Sequence, residues 1–193
     1  MRVALIGGTG SFGIALATRL AEAGYEVVIG SRDAERAAAA AAELGVEGAE
    51  NEAAARGADL VVLATKAEAT LDTARELRAA IGSTPVLSVA SELTFTKGGV
   101  LPTGEAASIA GLHSLAAANL GADVEPDEDA LVCGDDLDAK ALALELAGRI
   151  TTGRAVDCGP LASARALEGL TAVIVNVNKR YKAHAGIRVT GLP

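Results

Sequence analysis

Tryptophan is absent from this chain, and two Phe, two Tyr and one Met make up its remaining large non-aliphatic apolar side chains. Because hydrophobic residues still account for 50% of the sequence, the core must be assembled from Ala, Val, Leu and Ile, which lets helices pack close to a sheet. The two cysteines, Cys133 and Cys158, are too few for a disulfide framework and too far apart in sequence for a zinc pattern. No uninterrupted apolar run approaches the roughly 18 residues that cross a bilayer, so no membrane span is expected. The chain enters a strand directly after Met1 and meets glycine at Gly7, which leaves no room for the apolar segment of a secretory signal and points to a reduced, cytoplasmic protein. Basic residues are also scarce: 17 Lys and Arg face 25 Asp and Glu, for a net charge of −8. That balance argues against nucleic acid as a general partner, because a phosphate backbone is bound chiefly by neutralising cations. Any anion site must be local. With 193 residues and no linker, the chain is expected to fold as one compact unit or as a nucleotide domain with a small second lobe.

What the chain does contain is glycine, and its most ordered use follows the apolar run Val3-Ala4-Leu5-Ile6. In Gly7-Gly8-Thr9-Gly10-Ser11-Phe12-Gly13, the glycines at 8, 10 and 13 stand in G-x-G-x-x-G register. That spacing lets a strand turn tightly, brings backbone close to a pyrophosphate and packs the next helix against the sheet. The context fits, since Ile14, Ala15, Leu16, Leu20 and Ala21 recur at helical spacing until Gly24. Residues 8–13 are therefore read as a dinucleotide cradle at the head of a Rossmann-type, doubly wound, mostly parallel sheet.

Glu26-Val27-Val28-Ile29-Gly30 is a second buried strand, followed by Ser31 and Arg32. An acidic residue there would hold the ribose 2′-hydroxyl of NAD, whereas a hydroxyl and a guanidinium suit the 2′-phosphate of NADP. Arg36, one turn on, adds a second charge well shaped for phosphate; the competing reading makes both arginines solvated helix residues. Asp33 reads as a helix cap. A helix over 34–44, a short third strand at 46–49, a short helix ending near Gly57 and strands at 60–64 and 85–89 complete this half. Thr65 and Lys66 fall at a strand's carboxyl end, where such sheets open toward a cofactor. Two readings are open: they line the nicotinamide ribose, or Thr65 caps a helix running to about residue 81.

Residues 91–104 read as a loop punctuated by Gly98, Gly99 and Pro102. A short strand over 109–112 ends at His113, which is either a hydrogen-bonded structural residue or a group turned to the cofactor. Further strands are expected at 131–134 and 155–158. Asp135 and Asp136 open a helix through 149 and are read as caps rather than as a metal site. From 161 onward, Leu167, Leu170, Val173, Ile174, Val177 and Tyr181 recur at intervals of three and four, predicting a long helix with one buried face. Asn176 and Asn178 interrupt it and need partners. Lys179, Arg180, Lys182, His184 and Arg188 form a basic end that suits either a helix C-terminus or an anionic ligand tail.

Together the segments at 3–13, 28–32, 131–136, 157–161, 168–176 and 176–187 resemble the NADPH-dependent reductases of the deazaflavin coenzyme F420. The nucleotide motifs are common to many enzymes; Cys133-Gly134-Asp135-Asp136 and the C-terminal segments are what single out this family. The resemblance implies hydride transfer between NADP and coenzyme F420, the two rings stacked in a cleft between the sheet and a smaller C-terminal lobe. It places Thr9, Ser31, Arg32 and Arg36 at the NADP phosphates. His113, Ser114 and Leu115 match the segment lying against the deazaflavin, and Arg165 and Thr171 match positions bordering that pocket. The chain departs from the family pattern at Thr65-Lys66, where an apolar residue and Pro are usual, at Glu92, near which Pro is usual, and at Gly169, where Ser can occur. Its connection from Phe95 to Ile109 is too short for the helix expected before His113.

A hydride passed between two bound cofactors needs orientation and exclusion of water more than a general base, and the sequence holds no obvious catalytic dyad and no Tyr-x-x-x-Lys. The expected organisation is an NADP-binding Rossmann domain over 1–112 and a small α/β lobe over 113–193 ending in a long helix, the protein acting on small-molecule cofactors as a homodimer. Two other readings remain: an NADP-dependent reductase of a small carbonyl or imine, with Lys179 as proton donor, and a non-catalytic NADP-binding sensor.

Overall fold

Val3, Ala4, Leu5 and Ile6 are fully buried, as a strand covered on both faces must be, and they form β1 (Arg2–Ile6). The computed structural model describes residues 1–90, 93–96, 99–102 and 109–192, the two short middle segments as backbone alone. In chain order β1 is followed by α1 (Ser11–Glu22), β2 (Glu26–Ser31), α2 (Ala34–Leu44), β3 (Glu47–Glu50), α3 (Asn51–Ala55), β4 (Leu60–Leu63), α4 (Ala67–Glu76), α5 (Arg78–Ile81) and β5 (Val86–Ser88). Then come β6 (Leu93–Thr96), β7 (Gly99–Pro102), β8 (Ile109–Gly111), α6 (Ala117–Leu120), β9 (Ala130–Gly134), α7 (Leu137–Arg149), β10 (Ala155–Asp157), a 3-10 turn (Leu161–Ser163) and α8 (Ala164–Tyr181). By compactness the chain divides into Met1–Ala90 and Ser91–Pro193.

In the first unit the strands lie in the order β3-β2-β1-β4-β5, every pair parallel. The chain builds outward from β1 through β2 to β3, then returns to the other side of β1 with β4. Strand order therefore reverses beside β1, the switch point at which doubly wound sheets bind ligands. One face of the sheet is packed by Ala4, Ile6, Val28, Val61 and Leu63 against Ala54, Ala55, Leu77 and Ile81, with no aromatic side chain among them. Small residues allow the close approach that such a core demands. A Cβ on Gly48 of β3 would lie 2.4 Å from the Ala37 carbonyl oxygen of α2, so this strand and helix touch backbone to backbone.

The cap expected at Asp33 is present, its Oδ1 accepting from the Arg36 amide at 3.1 Å. The helix expected to run from Thr65 to residue 81 is instead two helices, interrupted at Leu77, and the N-cap position is Lys66. Thr65 does not cap it; its hydroxyl lies 3.0 Å from that of Thr70.

In the second unit β8 pairs antiparallel with β9 and β10 pairs parallel with β9. Residues 93–96 and 99–102, expected to be loop, form an antiparallel pair. The strand-favouring run Leu93-Thr94-Phe95-Thr96 prevails over the glycines that follow it. Glu92, Gly98, Gly104 and the connection over 103–108 lie outside the described residues. Asp136 caps α7, accepting from Ala139 at 2.9 Å, and Asp135 accepts from the Leu161 amide at 3.0 Å. Burial pushes the Cys133 thiol up to about 11, the pKa of an inert core group.

The long helix expected from 161 is α8, and the expected stripe is buried in part: Leu167 and Ile174 are buried and Leu170 packs against the core. Ala164, Leu167, Glu168, Ala172 and Ile174 are buried, whereas Val173 is 56% and Tyr181 71% exposed. Asn178 finds its partner in the chain beyond the helix, its Oδ1 accepting from Ala185 at 2.6 Å. That tail is fastened by Asp129, which accepts from the amides of Val189 and Arg154 at 2.7 and 2.9 Å. Among the described residues no helix is long and apolar enough to cross a membrane.

Candidate functional site

The turn after β1 is shaped by close contacts that only glycine allows. Gly7 has φ +72, and a Cβ there would lie 2.7 Å from Thr65 Cγ2, because the turns after β1 and β4 run side by side. A Cβ on Gly13 would lie 2.5 Å from the Gly8 carbonyl oxygen, so the first turn of α1 is pressed onto the strand end. Gly8 N donates to Leu5 O and Gly30 O, both at 3.1 Å, which ties the turn to β1 and β2. Gly10 is different: a Cβ there would meet nothing within 4 Å. It is also the N-cap of α1, and no side chain caps that helix. The first-turn amides and the positive end of the helix dipole are thus left for an anion.

At the carboxyl end of β2, Ser31 is buried and its hydroxyl oxygen accepts from the Asp33 amide at 3.2 Å, which leaves the hydroxyl proton to donate elsewhere. Arg32 and Arg36 follow, both exposed, and neither guanidinium has an ion-pair or hydrogen-bond partner among the described residues. Gly7, Thr9, Gly10, Ser31, Arg32, Arg36, Thr65 and Lys66 come together around one cleft of about 260 Å³, joined by Asn51, Ala64, Ala69 and Thr73. Of the expected cradle residues, Gly8 and Gly13 serve as the packed floor of the turn, and Ser11 and Phe12 are in the first turn of α1. Asn51 was not foreseen from sequence. It opens a short helix after a weak strand, and only its approach to Gly30 at the end of β2 brings it to the cleft.

An NADP molecule fits this cleft on the chemistry of its walls. The uncapped helix and open Gly10 suit a pyrophosphate, and two unpaired guanidinium groups with a spare hydroxyl proton suit a 2′-phosphate. A buried amide oxygen of Asn51 also lacks a hydrogen-bond partner.

The residues expected on the deazaflavin side all belong to the C-terminal unit. Leu112, fully buried, takes the left-handed conformation with φ 62, which turns the chain after β8. Such a backbone costs a branched side chain on the order of 1 kcal/mol and persists only where its surroundings impose it. His113, Ser114 and Leu115 follow, all buried. Thr171 donates to His113 O at 2.8 Å, with Leu167 O at 3.1 Å as a second acceptor, and Ser114 donates to Asp129 O at 2.9 Å. These two hydroxyl protons position the segment rather than face a ligand. Arg165 stands apart, exposed on the first turn of α8.

The family model described as NADP oxidoreductase coenzyme F420-dependent matches residues 2–92. The F420-dependent NADP reductase of Methanothermobacter thermautotrophicus is 37% identical to this chain, over 100% of it and 96% of the relative. That of Methanocaldococcus jannaschii is 33% identical, over 100% of this chain and 99% of its own length. A solved structure from Arthrobacter sp. FB24 superposes with a TM-score of 0.81 at 24% identity, covering 95% of this chain and 96% of that one, and so shares the fold. A glycine cradle on a Rossmann-type sheet and full-length relatives above 30% identity make this chain a member of the F420-dependent NADP reductase family.

Proposed function

We infer that the protein is an oxidoreductase that passes a hydride between NADP(H) and coenzyme F420, binding NADP through residues 1–112 and the deazaflavin through residues 113–193. The reaction follows from the full-length relatives. The observation that carries the NADP half is the pair of unpartnered guanidinium groups on the cleft beside the spare Ser31 proton. When bound, the nicotinamide and deazaflavin rings supply the hydride donor and acceptor themselves. The work left to this chain is to bind, orient and keep water out. Residues 8–13 receive the pyrophosphate on the α1 amides, with Gly8 and Gly13 holding the turn tight and Thr9, Ser11 and Phe12 placing the first helical turn. Ser31, Arg32 and Arg36 clamp the 2′-phosphate. Thr65 and Lys66, on the turn beside Gly7, border the nicotinamide ribose.

In the C-terminal residues, the strained Leu112 backbone and the Thr171 and Ser114 hydrogen bonds hold His113, Ser114 and Leu115 in a fixed conformation to meet the deazaflavin, and Arg165 offers an exposed cation to its anionic side chain. His113 orients and transfers no proton; no residue is assigned a proton-transfer role and no metal is required. A cytoplasmic homodimer without nucleic-acid partners fits the net charge of −8 and the exposed Val173, Val177 and Tyr181 of α8. The test is direct: the purified protein is mixed with NADPH and oxidised deazaflavin, and loss of the deazaflavin's visible absorbance is followed. Turnover is expected; tight NADPH binding without turnover would refute the reading.

A further inference from the structure

Asn51 is 7% exposed, lines the cleft, and its Oδ1 is buried without a hydrogen-bond partner. A buried amide oxygen left unpaired is costly, so the fold retains it where something else supplies the donor. The oxygen lies over the carboxyl end of β2, since a Cβ on Gly30 would come within 2.9 Å of it. Gly30 immediately precedes Ser31 and Arg32. The oxygen is closed to solvent as the side chain stands, so a donor meets it only on a turn of the amide into the cleft, next to the point where those two residues take a phosphate. A phosphate monoester is an acceptor at neutral pH and cannot fill that role. On a ribose whose 2′-oxygen is phosphorylated, the neighbouring donor is the 3′-hydroxyl.

We propose that Asn51 is a specificity residue that accepts a hydrogen bond from the 3′-hydroxyl of the adenosine ribose of NADP, with Gly30 leaving room for the amide. The inference rests on the reading of this cleft as the NADP site. Together with Ser31 and Arg32 it divides recognition of one sugar: the cations read the phosphate, and the amide reads the adjacent hydroxyl. In NAD-type sites a carboxylate reads the ribose 2′-hydroxyl, but a carboxylate here would repel the phosphate that Arg32 and Arg36 attract. A neutral acceptor avoids that conflict.

The test is equilibrium binding by calorimetry, with NADP and 3′-deoxy-NADP titrated into the wild type, Asn51→Ala and Asn51→Asp. The wild type is expected to bind NADP roughly five- to tenfold more tightly than the deoxy analogue, the range of one neutral hydrogen bond. Asn51→Ala should weaken NADP by a similar factor, leave the analogue nearly unchanged and so abolish the difference. Asn51→Asp retains the acceptor and should retain the preference for the hydroxyl while weakening both ligands. Equal binding of NADP and its deoxy analogue by the wild type would overturn the proposal even if Asn51→Ala did not fold. So would an Asn51→Ala loss that persists with the analogue, since the amide would then hold another group such as the adenine amine. Failure of the wild type to bind NADP at all would overturn the site reading beneath it, an outcome distinct from both.

Discussion

Replacing Arg32 with Ala removes one of two guanidinium groups on the cleft that have no partner among the described residues. A hydrogen bond to a charged group is worth about 1.5–3 kcal/mol, or roughly ten- to a hundredfold in a dissociation constant. Arg32 is exposed, and solvent and salt screen it, so the expected loss for NADPH lies at the lower end, about tenfold. Removing Arg36 as well should bring the loss toward a hundredfold if the two act independently. NADH lacks the 2′-phosphate and should be little affected, so the discrimination ratio falls with NADPH affinity. Because neither guanidinium has an ion pair or hydrogen bond among the described residues, stability should change by no more than about 0.5 kcal/mol. Titration of NADPH and NADH by fluorescence, repeated at low and high salt, checks this. Equal losses for both nucleotides, or an NADPH affinity indifferent to Arg32, would show that the arginines do not read the phosphate.

Two further perturbations test the scaffold. Gly13→Ala places a Cβ 2.5 Å from Gly8 O and 2.6 Å from Gly8 Cα, a clash of backbone against backbone that no rotamer relieves; a loss of about 1–3 kcal/mol in chemical denaturation is expected, and unchanged stability would mean that the turn is not as tight as drawn. Asp129 carries a pH prediction. Burial by itself would raise its carboxyl, but the amides of Arg154 and Val189 and the Arg154 guanidinium outweigh burial and hold it below its ordinary value of 3.8. A carboxyl depressed in the fold binds protons more readily when unfolded, so its contribution is complete above that ordinary value and is lost as pH falls through the folded one. Protection of the Val189 amide, measured against its intrinsic exchange rate at each pH, should fall in acid, and Asp129→Asn should produce the same release of the tail at neutral pH; protection that persists in the variant would refute the clamp.

Much of the nucleotide half was legible because its signals are local. A buried strand, a turn that only glycine can make and a helix that begins without a side-chain cap are all written in neighbouring residues, as is the position of Ser31 and Arg32 at the end of β2. The same locality explains Asp33 and Asp136, whose carboxylates reach amides three residues ahead. Where sequence reading went astray, the deciding contact was remote. The apolar stripe of α8 is buried at Leu167 and Ile174 but not at Val173 and Tyr181, while Ala164 and Ala172 are buried beside them.

What the sequence by itself determined is the kind of site: a dinucleotide cradle with a preference for a phosphorylated ribose, and the family whose chemistry such a cradle serves. Tertiary structure alone decided which groups share the cleft. Strand order brings the turn after β4 against the turn after β1 and sets Asn51 over the end of β2, positions far apart in the chain. The physical reason is that periodicity and turn chemistry act over a few residues, whereas a buried acceptor left without its donor is a property of packing, visible only once distant strands lie side by side.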